Sequence, residues 1–205
     1  MTAVIDYDAG NIRSVEKALL ALGEEALVTR DREAILSADR VILPGVGAFG
    51  DAMDRLHSYG LVDVIRQAAA EKIPFLGICL GLQLLFERSE ESGQAQGLGI
   101  LKGEILRIPD HTGVKVPHIG WNSLTLTNSG RLFEGVPEHS YVYFVHSYYL
   151  KAAEEEIVTA RTEYGTQIHA SVEKGNIFAC QFHPEKSSRV GLKILKNFIS
   201  IQRKD

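Results

Sequence analysis

The chain has 205 residues, of which 45% are hydrophobic and 23% charged, enough apolar material to build a substantial core within one domain spanning residues 1–205. A net charge of −4 offers no basic surface to nucleic acid or to an anionic membrane, and no apolar run reaches the roughly 18 residues of a membrane span. Cys79 and Cys180 are too few for a disulfide framework, and the start Met1-Thr2-Ala3-Val4-Ile5-Asp6-Tyr7 lacks the basic and apolar regions of a secretion signal, so a reducing, cytoplasmic location is expected.

The first half alternates short β-like runs with helical patterns. Residues 3–7 read as a strand, Asn11 suits the N-cap of a helix reaching Leu22, and Gly23 sits where that helix stops. Residues 26–29 form a second strand, Asp31 caps a short helix, and Val41-Ile42-Leu43 is a third strand. Helical patterns follow over residues 52–56 and 61–70, then a strand over 75–78 and a helix-like segment from Leu80 to Arg88. This rhythm predicts a parallel sheet covered by helices on both faces. In the second half residues 105–108, 121–126, 141–144, 157–161, 168–172 and 177–182 read as strands, with Gly175-Asn176 a hairpin turn between the last two. Residues 187–202 read as a closing helix whose Leu192, Leu195 and Ile199 form an apolar stripe that Phe198 widens. The expected fold class is α/β: an open, mostly parallel sheet flanked by helices, with an antiparallel β extension.

Chemistry concentrates in three segments. The apolar strand 75–78 ends in Gly77-Ile78-Cys79-Leu80-Gly81 and runs straight into a helical pattern, the layout of a nucleophile elbow. A helix N-terminus lowers a thiol's pKa and favours thiolate, although a buried structural cysteine would fit the same local pattern. Phe182-His183-Pro184-Glu185 supplies a base and an orienting carboxylate. Residues two apart on an extended chain share a side, and Pro184 favours an extended His183. Spacing alone does not bring this segment to Cys79, and an ordinary surface histidine at a strand end is the rival reading. Pro44-Gly45-Val46-Gly47-Ala48-Phe49-Gly50 leads from a strand into a loop able to turn a backbone N–H toward a developing oxyanion, with Leu80 N–H as second donor. A phosphate cradle would need the Gly-Lys-Ser/Thr ending that is missing here, and a plain turn stays open for the loop taken alone.

Together Gly77-Ile78-Cys79-Leu80-Gly81 and Phe182-His183-Pro184-Glu185 resemble the signatures of class I (triad) glutamine amidotransferases. Asp6-Tyr7-x-x-Gly10-Asn11, Pro44-Gly45-Val46-Gly47-Ala48-Phe49, Pro117-His118-Ile119-Gly120-Trp121-Asn122, Tyr143-Phe144-Val145-His146-Ser147-Tyr148 and His183-Pro184-Glu185-Lys186-Ser187-Ser188 extend the resemblance over nearly the whole chain. It implies L-glutamine as substrate, Cys79 as nucleophile, His183 as acid and base, and Glu185 as its orienting partner. It also implies Val46 and Leu80 backbone N–H groups as the oxyanion hole, and glutamine contacts from Gly47, Gln83, Glu91, Ser147 and Tyr148. Gln83, one helical turn beyond Cys79, is otherwise a polar helix position packed under the loop. No cofactor and no metal are called for.

The same resemblance implies a heterodimer in which a separate (β/α)8-barrel cyclase subunit receives the ammonia, with Asn11, Trp121 and Lys186 at or near the interface. A lone tryptophan at a strand start equally fits a core. Glycines on both sides of Val46 permit a peptide flip, so its N–H is expected to point away from the oxyanion until the partner's ligand binds. Three other readings stand beside this one: a glutaminase subunit serving a different synthase, a free-standing cysteine hydrolase sharing only the elbow, and an inactive scaffold. His57, His111, His118, His139, His146 and His169 show no metal-ligand spacing, and Glu154-Glu155-Glu156 reads as a solvated turn.

Overall fold

Short apolar runs closed by turn residues pair side by side in the computed structural model, which describes residues 1–93, 95–110, 113–128 and 130–203. The first half runs β1 (Thr2–Ile5), α1 (Ile12–Ala21), β2 (Ala26–Thr29), α2 (Arg32–Ser37), β3 (Arg40–Leu43), α3 (Phe49–Ser58), α4 (Leu61–Ala70), β4 (Phe75–Ile78) and α5 (Leu80–Leu84). Then come β5 (Arg88–Ser89), β6 (Ala95–Gln96), β7 (Gly103–Arg107), β8 (His118–Ser123), β9 (Thr125–Leu126), β10 (Tyr141–His146) and β11 (Tyr148–Ala152). Strands β12 (Val158–Glu163), β13 (Gln167–Lys174) and β14 (Ile177–Cys180) precede the closing helix α6 (Ser188–Ile199).

The main sheet has the order β2-β1-β3-β4-β14-β13-β12-β9. Its first five strands are parallel, and the last three continue it antiparallel. Alternation along β1 shows why helices lie on both faces. Ala3 and Ile5 pack with residues of α2, α3 and α4, while Val4 packs with Val15 and Leu19 of α1 and Ile194, Leu195 and Phe198 of α6. The α/β class with its antiparallel extension is therefore as the sequence predicts, and Gly175-Asn176 does join β13 to β14, with Lys174 opposite Ile177. Asp31 accepts a hydrogen bond from Ala34 N–H (2.8 Å) and starts α2 as expected. Among the described residues no helix is long and apolar enough to cross a membrane.

Several boundaries differ from the sequence reading, each for a local reason. The helix after Cys79 stops at Leu84 instead of running to Arg88. The chain at 98–101 takes over its carbonyls: Leu98 N–H donates to Leu84 O (2.8 Å) and Leu101 N–H to Leu85 O (3.0 Å), while Arg88 joins β5. The run through Phe86 is buried on every side, which erases the periodicity that would mark this end. The stretch 121–126 splits into β8 and β9 because Leu124 N–H turns to Ser140 O (3.0 Å). Strand β14 ends at Cys180 rather than 182, α3 begins at Phe49 rather than 52, and α6 spans Ser188–Ile199 inside the expected 187–202. The two-residue strands β5 and β6, and β11, carry no readable alternation.

The elbow depends on a close approach. A Cβ on Gly81 would lie 1.8 Å from Leu43 O, inside the end of the neighbouring parallel strand. Gly81→Ala is expected to cost about 3 kcal/mol or more of stability, because backbone rather than a movable side chain blocks the methyl. Urea unfolding of the variant beside the parent chain measures it.

Candidate active site

The turn that carries Cys79 is sharp enough to strain the backbone. Cys79 has φ 54° and ψ −108°, a conformation that L-residues rarely adopt and that costs about 1–3 kcal/mol. It is held by Cys79 N–H donating to Cys180 O (2.8 Å) on β14, and by Leu82 N–H donating to Cys79 O (3.0 Å) on the way into α5. Cys79 is 5% exposed; its sulfur receives a hydrogen bond from the Gln181 side-chain amide (3.6 Å) and lies 3.9 Å from Val145 O.

Strand β14 then delivers His183 to the same place. His183 is extended (φ −98°, ψ 97°), as Pro184 requires, and its N–H donates to Tyr143 O (2.9 Å) on β10. Glu185, however, is not on an extended strand: residues Pro184–Lys186 make a 3-10 turn. The carboxylate therefore folds back onto the ring instead of lying beside it, and His183 Nδ1 sits 2.7 Å from Glu185 Oε1. Ser187 Oγ locks the turn, donating to His183 O (2.6 Å) and accepting from Tyr143 N–H (2.9 Å). Both side chains are out of solvent, and His183 Nε2 makes no hydrogen bond. Burial pulls the imidazole toward neutrality, but the neighbouring Cys79 thiol and the Glu185 carboxylate outweigh it and raise the pKa to about 9. Cys79 and the His183–Glu185 pair, about a hundred residues apart in sequence, thus meet at the end of two adjacent parallel strands.

The two expected oxyanion donors are not both available. Leu80 N–H donates to Gly45 O at 3.3 Å. The Gly45–Val46 peptide is trans, so its N–H points opposite to its carbonyl, and Val46 N–H faces away from Leu80 N. The carbonyl of Gly45 thus occupies Leu80 N–H. This loop packs closely: a Cβ on Gly45 would lie 2.2 Å from the Tyr7 hydroxyl, which itself donates to Pro44 O (2.8 Å). Burial raises the Tyr7 pKa and keeps it a donor. Tyr7 is a site-supporting residue that local sequence reasoning misses, although it lies inside the Asp6-Tyr7-x-x-Gly10-Asn11 motif.

Beside Cys79 lies a pocket of about 360 Å³ whose lining includes Val46, Gly47, Leu80, Gln83, Glu91, Ser147, Tyr148 and Lys186. Every expected glutamine contact borders it. Gln83 does so with its amide nitrogen already committed, donating to Tyr148 O (3.0 Å) and Gln181 Oε1 (3.1 Å). Glu91 accepts from Phe49 N–H (2.8 Å) at the start of α3. His146, also in the lining, and His118 look scattered in the sequence but meet in the fold. His146 Nδ1 lies 2.9 Å from Tyr148 O and His118 Nδ1 lies 3.0 Å from His146 Nε2. Burial lowers these pKa values to about 3 for His146 and about 4 for His118, so both rings are neutral and brace the Tyr148 carbonyl. Periodicity cannot find this bridge, since its members sit on separate strands. His111 lies outside the described residues, and among those described no group of three His, Cys, Asp or Glu side chains is placed to hold a metal ion.

The three residues expected at an interface are placed differently from one another. Trp121 is 51% exposed on β8, not core, with its ring edge against Tyr143 at 6.0 Å; Ile119 and Tyr141 extend the same exposed apolar face. Lys186 is exposed at the pocket mouth. Asn11 begins α1 with φ 75° and makes no side-chain cap; its amide nitrogen turns inward to Glu185 Oε1.

Residues 3–201 match the family model for glutamine amidotransferase class-I. The chain belongs to that family. It is 55% identical over 201 residues to imidazole glycerol phosphate synthase subunit HisH of Moorella thermoacetica, covering 98% of this chain and 95% of that one. Identity to the subunit of the same name from Methanocaldococcus jannaschii is 46%, covering 98% of this chain and all of the other. The fold matches a solved glutamine amidotransferase (TM-score 0.76, 22% identity, 97% of each chain) and PurLQS from Thermotoga maritima (TM-score 0.75, 22% identity, 97% of each chain).

In this glutamine amidotransferase the raised pKa of His183 sets a pH limit. His183 stays an imidazolium, able to give a proton, until the pH rises through about 9, so kcat/KM for glutamine is expected to fall across that pH. Glu185→Gln removes a charge that favours the imidazolium and should move the alkaline limb to lower pH. A pH–rate profile of both forms checks the position and the direction.

Proposed function

We propose that this chain is the glutaminase subunit of an imidazole glycerol phosphate synthase, acting in histidine biosynthesis in the cytoplasm as a single glutaminase domain. The observation that carries the reading is a paired His183 and Glu185 beside Cys79, which lines the pocket, in a chain 46–55% identical over nearly its full length to HisH subunits. In this mechanism the Cys79 thiolate attacks the side-chain amide carbon of L-glutamine and forms a tetrahedral intermediate. His183, held in its tautomer by Glu185, protonates the departing ammonia and leaves a γ-glutamyl thioester. It then takes a proton from water, which hydrolyses the thioester to glutamate.

The oxyanion of that intermediate needs two donors, Val46 N–H and Leu80 N–H. With the Gly45 carbonyl on Leu80 N–H, both are withheld, which supports an enzyme held back until the Gly45–Val46 peptide turns over. Losing one such donor lowers kcat by about 10²–10³-fold, so the closed hole predicts a slow isolated chain. The partner that opens it is a (β/α)8-barrel cyclase, docked on the exposed face of Ile119, Trp121 and Tyr141 and near Asn11 and Lys186. Ammonia passing to it reacts with a phosphoribulosyl formimino-carboxamide nucleotide to give imidazole glycerol phosphate and an aminoimidazole carboxamide ribotide.

Glutamate release from L-glutamine, measured with the chain alone and with the cyclase subunit carrying its nucleotide ligand, tests the reading. Stimulation of about 10²-fold or more, abolished by Cys79→Ala, is the expected outcome; brisk hydrolysis indifferent to that partner would assign the chain to another synthase. Trp121→Ala should weaken partner affinity about 30-fold as a buried aromatic anchor, read by titration of the stimulated rate. Unchanged affinity would move the interface elsewhere.

A further inference from the structure

Asn11 is the residue whose geometry is least explained by its place in the chain. Its type and position suit a helix N-cap, yet α1 begins with no side-chain cap and no acidic residue in its first turn. Asn11 instead takes a left-handed conformation (φ 75°), and its side chain leaves the helix for the site. The amide nitrogen donates to Glu185 Oε1 and lies 3.4 Å from His183 Nδ1. The opposite amide rotamer would set two oxygens against each other, so the carboxylate fixes which end of Asn11 faces it.

The carboxylate has need of this donor. The Glu185 side chain is fully buried, its Oε2 is without a hydrogen-bond partner, and Oε1 carries both contacts, from His183 and from Asn11. Buried carboxylates keep a fixed orientation only through the donors that reach them. His183 cannot supply that orientation, since it is the ring being oriented.

We infer that Asn11 is a positioning residue for the glutaminase reaction, fixing the Glu185 carboxylate that in turn fixes His183. Asn11 is not among the residues lining the pocket and its amide faces Glu185, so on this inference its effect falls on proton transfer and not on glutamine binding. The helix gives up its side-chain cap, and the backbone accepts a left-handed residue, so that the amide reaches Glu185. The other titratable groups facing the pair are Cys79 on the elbow, His146 on β10 and Cys180 on β14. The inference rests on the assignment of Cys79, His183 and Glu185 given above.

Two substitutions separate positioning from helix capping, both assayed in the complex with the liganded cyclase at saturating partner. Asn11→Gly keeps the left-handed conformation but has no donor; Asn11→Asp keeps the side-chain shape and a residue type that suits an N-cap but sets a second carboxylate against Glu185. For Asn11→Gly, kcat is expected to fall about 10-fold with KM for glutamine within about twofold. Asn11→Asp should fall further and shift the alkaline limb of its pH–rate profile upward, because added negative charge favours the His183 imidazolium. Wild-type kcat and pH profile in either variant, or a loss confined to KM or to partner affinity, would overturn the inference. His183→Asn serves as the control for the underlying assignment: full activity in that variant would sink the assignment itself, whereas its inactivity beside a normal Asn11→Gly would sink only the role of Asn11.

Discussion

Everything at this site depends on the bend at Cys79. Strand β4 must end, reverse its peptide direction and enter α5 within one residue, and the chain does so at φ 54° because Cys79 N–H is taken by Cys180 O on the adjoining parallel strand. That bond fixes two things together. It holds the sulfur above the sheet, and it ties the elbow to the strand whose continuation carries His183 and Glu185. The strain stored at Cys79 is sustained by close packing around it, with Gly81 pressed on Leu43 O. Cys79 and His183 are therefore placed by the sheet itself, independently of the loops that border the pocket.

The loops hold the variable part. On the proposed reading, Cys79 beside His183 with a closed oxyanion hole is poised but unproductive, because stabilising the charge of the intermediate is where such a site gains most of its rate. The proposed control acts through one peptide: turning Gly45–Val46 would both deliver Val46 N–H and remove the carbonyl that occupies Leu80 N–H. The Tyr7 hydroxyl bonds the Pro44 carbonyl at the start of this loop, and the neutral His118–His146 bridge braces the Tyr148 carbonyl in the pocket wall. The His118–His146 bridge also runs between β8 and β10, the two strands whose outer face bears Trp121, so the proposed partner surface and the pocket wall share the same two strands.

What is legible in the sequence follows the range of the physics involved. The first parallel strands, the capping by Asp31, the hairpin at Gly175-Asn176 and the elbow itself are encoded by residues within a few positions of one another. The early end of α5 is not legible, since carbonyls of Leu84 and Leu85 are claimed by a segment more than ten residues later. Glu185 pairs with His183 as the sequence suggests but on a different backbone, because a 3-10 turn after proline leaves no period to read. Local propensity makes Asn11 a cap, and tertiary demand from Glu185 overrides it. The histidine bridge requires knowing which strands are neighbours. Residues drawn together across the fold are reachable from sequence only where a family resemblance carries them.

The most direct test of the closed hole is a crystal structure of the Cys79→Ala chain with glutamine bound, in complex with the nucleotide-liganded cyclase. The peptide reversal predicts Val46 N–H and Leu80 N–H both directed at the glutamine carboxamide oxygen, with the Gly45 carbonyl withdrawn. A Gly45 carbonyl still bonded to Leu80 N–H, in a complex whose parent enzyme turns over at the stimulated rate, would contradict it.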